Sequence, residues 1–214
     1  MDPQQSGAGP ETGRTARKRR AILDAATEVF LQNGYLGASM DEVAAKAAVS
    51  KQTVYKQFAD KKHLFTEIIL GTTAQLMDGF RQVATDLDRA TDARQALHDL
   101  ARALLANLTQ PDVLRLRRLV IAEADRFPDI SGAWFEHGFH ESLVMLGETL
   151  RRLEGRGLLR NLPDPTLAAY QFAGLVMYKP MNQVMFAGTP AGPAAEELES
   201  IAGQAVEVFL AAYG

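Results

Sequence analysis

The chain contains no cysteine. Disulfide frameworks, thiolate zinc sites, iron–sulfur clusters and cysteine nucleophiles are therefore excluded, and a reducing compartment suits the composition. Aromatic residues amount to 7%, with a single Trp. No apolar run reaches the ~18 residues a bilayer-spanning helix requires. Residues 1–13 lack the charged start and apolar middle of a secretory signal, so the cytoplasm is the expected location. Also missing are paired carboxylates, a Gly-rich phosphate loop, a serine nucleophile elbow and a lysine set in an apolar pocket. The expectation is accordingly no enzyme, no metal and no cofactor.

What is present is an ordinary globular composition: 214 residues, 47% hydrophobic and 23% charged, enough for a sizeable core. The net charge of −3 conceals an asymmetry. Residues 14–62 hold ten basic side chains against five acidic, whereas from His63 onward 13 basic face 19 acidic. A basic front on an acidic body suits a small N-terminal module that meets a polyanion, although a merely solvated basic face has the same composition.

Residues 1–13, rich in Gly, Pro and Gln, have no large apolar anchor and read as a disordered tail. The helical period then begins: Ile22, Ala25, Ala26, Val29 and Phe30 share a face, and Asn33-Gly34 supplies a left-handed stop. Ser39-Met40-Asp41-Glu42 is a capping box, in which serine and glutamate satisfy each other's backbone donors, opening a helix over 40–47. Ser50 caps a third helix through residue 58 and Asp60 a fourth, which Leu64, Phe65, Ile68, Ile69, Met77 and Phe80 extend to about 87. Two short helices joined by a tight turn form a helix-turn-helix. Punctuation places further helices at 92–108, 111–126 and 128–137, then a joint at Gly138 and a run ending at Gly155 and Gly157. A later helix from Asp164-Pro165 should kink near Val176 because of Pro180, and a last one opens at Gly192-Pro193. With no period-2 stretch, the chain is all-α, about nine to ten helices. It divides into a tail (1–13), a DNA-binding module (14–62) and a body (63–214).

The stretch from Ser39 to Phe65, SMDEVAAKAAVSKQTVYKQFADKKHLF, carries the chemistry. Small Val43, Ala44, Ala47 and Val49 permit close helix crossing, and Val54 and Phe58 turn inward. That leaves Lys51, Gln52, Thr53, Tyr55, Lys56 and Gln57 as the polar rim of the third helix. Lys suits guanine O6 and N7, Gln is bidentate to adenine, the Thr methyl fits against thymine, and Tyr or Lys suits phosphate.

Residues 15–65 closely resemble the TetR family of bacterial transcriptional regulators. The resemblance rests on Phe30…Gly34-Tyr35, Ser39…Val43-Ala44, Val49-Ser50, and Tyr55-x-x-Phe58 followed by Lys61 and Leu64-Phe65. The family's usual Gly in the turn is Ala48 here; a positive φ at that position costs on the order of 1 kcal/mol. The rest of the chain is similar by helix number and length, with some likeness to multidrug-efflux repressors. The resemblance implies a homodimeric repressor on a palindromic operator, released by a small hydrophobic or drug-like effector. In that carry-over, Lys51, Gln52 and Thr53 touch bases and Tyr55, Lys56 and Lys61 hold phosphates. Arg14, Arg17, Lys18 and Arg19 are candidates for a minor-groove arm, or are only a solvated basic start. A small-molecule binding protein without transcriptional role is the alternative.

In the body, Met and aromatic residues at helical spacing read one by one as core, but together they suit an apolar cavity with a few polar anchors. Met77, Phe80, His98, Trp134, His137, Gln171, Phe172 and Tyr178 are the cavity candidates. His137 and His140 have an H-x-x-H spacing, yet no third ligand lies in reach. Leu143, Leu146, Leu150 and Leu153 form one stripe and Leu198, Ile201, Ala205 and Phe209 another. Pattern alone divides evenly between a partner helix and burial within one subunit, and the family resemblance favours dimerisation.

Overall fold

The computed structural model describes residues 10–186 and 194–214, and every regular element among them is helical. The first nine residues of the expected tail and the Gly192-Pro193 helix start lie outside the described residues. The chain forms two compact units, Met1–Gly71 and Thr72–Gly214, with the boundary inside a helix rather than at the expected 62/63 division.

The first unit contains α1 (Pro10–Gly37), α2 (Met40–Lys46), α3 (Lys51–Gln57) and the start of α4 (Lys61–Asp88). α1 begins inside the segment read as tail, with proline at its first position, where the missing N–H costs nothing. Gly34, at φ 69 and ψ 174, breaks the helical backbone at the expected stop. Ser39 Oγ accepts from Glu42 N, but the Glu42 carboxylate pairs with the Asn33 amide rather than completing a reciprocal box. Asp60 caps α4 by accepting from His63 N at 2.7 Å. Ile22, Val29, Phe30, Val54, Phe58, Leu64 and Phe65 are buried, and Phe30, Tyr35 and Phe65 pack ring against ring.

The second unit holds the rest of α4, α5 (Ala93–Leu108), α6 (Pro111–Ala122), α7 (Pro128–Phe135), α8 (Glu141–Gly155), α9 (Pro165–Phe186) and α10 (Ala195–Tyr213). A π-helical turn, Glu136–His140, joins α7 to α8 where the sequence placed a joint. α6 ends at Ala122, earlier than expected, and α9 passes through Pro180 as one helix. α8 lies so close to the start of α9 that a Cβ on Gly147 would stand 2.8 Å from Thr166 N. Gly71 and Gly79 in α4, by contrast, have open space where a Cβ would be.

The α8 leucine stripe requires a correction, and the second stripe, on α10, is buried within the subunit in part. Leu143, Leu146, Leu150 and Leu153 are at most 3% exposed in a single subunit, packed into the core with Ala205 and Phe209. Leu198 and Ile201 are half-buried. α8 pairs its stripe with α9 of its own chain, an arrangement that produces the same leucine period as a partner helix would.

Candidate nucleic-acid interface and effector cavity

α3 is positioned by its two inward residues. Val54 and Phe58 are 0% exposed, and Ser50 caps the helix by accepting from Thr53 N at 3.2 Å. Anchored so, α3 turns Lys51, Gln52, Tyr55 and Lys56 to solvent, while Thr53 is half-buried with its hydroxyl 2.8 Å from that of Ser50. The turn before α3 holds Ala48 at φ 52, the left-handed region where the family has glycine.

The neighbouring charges are less free than the sequence suggests. Lys51 Nζ lies 2.7 Å from Asp41 Oδ1, a contact that pushes its pKa up by hydrogen bonding and charge. Lys61 donates to Ala38 O at 2.9 Å and Leu36 O at 3.3 Å and sits over the Tyr35 ring. Two of its three donors therefore close the end of α1 rather than reaching outward. Arg19 lies over the Phe58 ring at 4.5 Å and bridges Glu67 at 2.8 Å, so it belongs to the packing of this unit. Arg17 bonds Gly13 O, and Arg14, Arg17 and Lys18 are exposed along α1. What the arrangement offers is a short helix with a polar, partly cationic rim on a rigid support.

The second unit holds a cavity of about 340 Å³, partly open to solvent. Its walls are Leu76, Phe80 and Val83 of α4, Leu100 and Leu104 of α5, Phe139 and Leu143 around the π turn, and Ala173, Met177 and Met181 of α9. Tyr170, Tyr178, Asn107, Asn182, Ser142 and Arg117 add polar groups. Of the sequence candidates, Phe80 and Tyr178 line it, and the others stand elsewhere. Met77 is buried beside Ser142, and Phe172 packs edge-on against Phe209. His98 faces Glu199 at 3.4 Å, and Gln171 accepts from the Tyr213 hydroxyl. Trp134 is half-buried outside the lining. His137 pairs with Glu141 and His140 with the Tyr170 hydroxyl, so the two histidines have separate partners.

Arg117 was the residue that sequence reasoning missed. It sits four residues after Val113 and three before Val120, both buried, so it falls on the inward stripe of α6. A cation on an apolar stripe was the signal available.

A three-helix module presenting a solvated polar helix, coupled in one chain to a helical body with an apolar cavity, defines the class of helix-turn-helix transcriptional regulators. Residues 22–68 match the bacterial regulatory proteins of the tetR family, and residues 95–214 match the C-terminal domain of AefR-like transcriptional repressors. The chain belongs to the TetR family. A TetR-family regulator from Mesorhizobium loti is 45% identical, with a TM-score of 0.88 over 94% of this chain and 98% of that one. The flavonoid-responsive regulator FrrA is 26% identical, with a TM-score of 0.72 over 92% and 97% of the two chains. The transcriptional activator FasR of Mycolicibacterium smegmatis is 38% identical over 86 residues, 40% of this chain. That alignment spans 38% of the length of FasR. No helix among the described residues is long and apolar enough to cross a membrane.

Proposed function

We propose that the protein is a cytoplasmic repressor that binds a palindromic operator as a homodimer and is released by a small apolar effector. The observation that carries this reading is the polar rim of α3, Lys51, Gln52, Tyr55 and Lys56, exposed around a fully buried Val54. Gln52 and Lys51 read base edges and Tyr55 and Lys56 hold phosphates, with Thr53 beside them at the base edges. Lys51 must exchange Asp41 for DNA to do so. Arg14, Arg17 and Lys18 supply the flanking charge.

Two such helices must meet half-sites one turn apart, ~34–36 Å. With the α8 leucines in the core, the dimer face is the outer side of α9 and α10, where Leu167, Leu175, Phe186 and Val208 are exposed. An effector acts through α4, whose Leu76, Phe80 and Val83 wall the cavity. It must bind the two conformations with different affinity, since equal affinity shifts nothing.

The test is gel-shift titration at fixed salt with the DNA upstream of the gene and single-base-pair variants of it. Gln52→Ala costs ~1–3 kcal/mol at particular base pairs, while Tyr55→Phe weakens every sequence alike. Equal loss on all variants for Gln52→Ala rules out its role as a base reader.

A further inference from the structure

Among the described residues, the cavity contains a charge without a counter-charge. Arg117 enters it from α6, and no Asp or Glu is among its lining residues. Arg117 Nη1 donates to the Met181 thioether at 3.1 Å, a weak acceptor, and its buried Nε has no hydrogen-bond partner among the described residues. Arg118, next along α6, donates to the Val184 carbonyl and also keeps a buried Nε unpaired. Burial alone pushes the Arg117 pKa down, with no neighbouring carboxylate opposing it, yet a guanidinium remains protonated in a protein. An unpaired cation in such surroundings is costly to keep, and Leu or Met would fill the same space without that cost. The apolar walls explain an apolar guest, but they do not explain Arg117.

Building on the effector reading above, we infer that the ligand of this cavity is an anion: a carboxylate on an aromatic or medium-chain apolar body. The carboxylate pairs with Arg117, whose planar fork accommodates two parallel hydrogen bonds to it, and Asn107 is a further polar group of the lining. The body lies among Phe80, Phe139, Leu143 and Met177. The cavity, about 340 Å³ and partly open to solvent, has room for a ring or a medium chain among these residues.

Decanoate, 1-decanol and decylamine share a tail and differ in charge, and 4-phenylbutyrate offers the same headgroup on a ring. Calorimetric titration of the full chain is expected to show decanoate or 4-phenylbutyrate binding, decanol at least about tenfold weaker than decanoate, and decylamine not binding. Arg117→Met brings decanoate down to the level of decanol and leaves decanol unchanged. The melting temperature of the unliganded variant stays equal or rises, which shows that it folds. Decanol binding as tightly as decanoate, wild-type decanoate affinity in Arg117→Met, or no binding by either carboxylate overturns the inference. Operator binding measured in parallel separates the two readings. A carboxylate that binds through Arg117 without changing operator affinity sinks the effector reading alone, whereas release by decanol with the carboxylates inert sinks the anion site alone.

Discussion

Ala48 shows how a single residue departs from what its backbone favours. At φ 52 its Cβ crowds the following carbonyl, a conformation glycine adopts without penalty. Ala48→Gly is expected to raise the unfolding free energy by about 0.5–1 kcal/mol, the relief of strain being partly offset by a more flexible unfolded chain. A higher urea midpoint at unchanged slope is the readout, and a lower midpoint contradicts the strain. The inward and outward residues of α3 were legible in the sequence because Val54 and Phe58 keep a helical period with the apolar residues around them. Lys61 was not legible: its acceptors are the carbonyls of Leu36 and Ala38, backbone atoms that no side-chain pattern reports. Arg19 was hidden for a related reason, since the Phe58 ring it covers lies far along the chain, just after the end of α3.

At the scale of helices, the caps carried most of the information. Asp60, Asp92 and Asp164 accept backbone N–H groups where a short polar residue precedes an apolar run, and the predicted starts fell beside them. The π turn at Glu136–His140 was legible only as a joint, because a glycine marks a weak place without saying which hydrogen-bond pattern fills it. The α8 stripe was read in period but not in destination, since periodicity identifies a buried face and not what buries it. Gly147 now fixes that destination. Its missing Cβ would meet the backbone of Pro165 and Thr166 at 2.8–3.0 Å, so α8 and α9 must separate to admit alanine. Gly147→Ala should cost ~1–3 kcal/mol by chemical denaturation, and a neutral result is incompatible with so close a crossing.

For the whole molecule, the sequence divided a basic front from an acidic body, and the body's chemistry stayed out of reach. Phe80 and Tyr178 reach the cavity while Phe172, equally apolar, is core. Which side of a buried helix meets empty space depends on how several helices pack together, not on any one of them. Assembly can be tested at this scale. Leu175 is 40% exposed on the outer side of α9, so Leu175→Glu leaves the subunit folded and shifts sedimentation towards the mass of one chain. Operator binding falls with it, because one recognition helix alone contacts a single half-site. A variant that still sediments as the wild type places the dimer face elsewhere.

The two units are joined through α4, and their boundary falls at Gly71, a solvent-facing helical glycine with nothing within reach of its absent Cβ. Glycine weakens a helix interior by about 1 kcal/mol relative to alanine, and here no packing compensates. A helix bends at least cost where such residues stand, so Gly71, and Gly79 two turns on, are the positions at which α4 resists bending least.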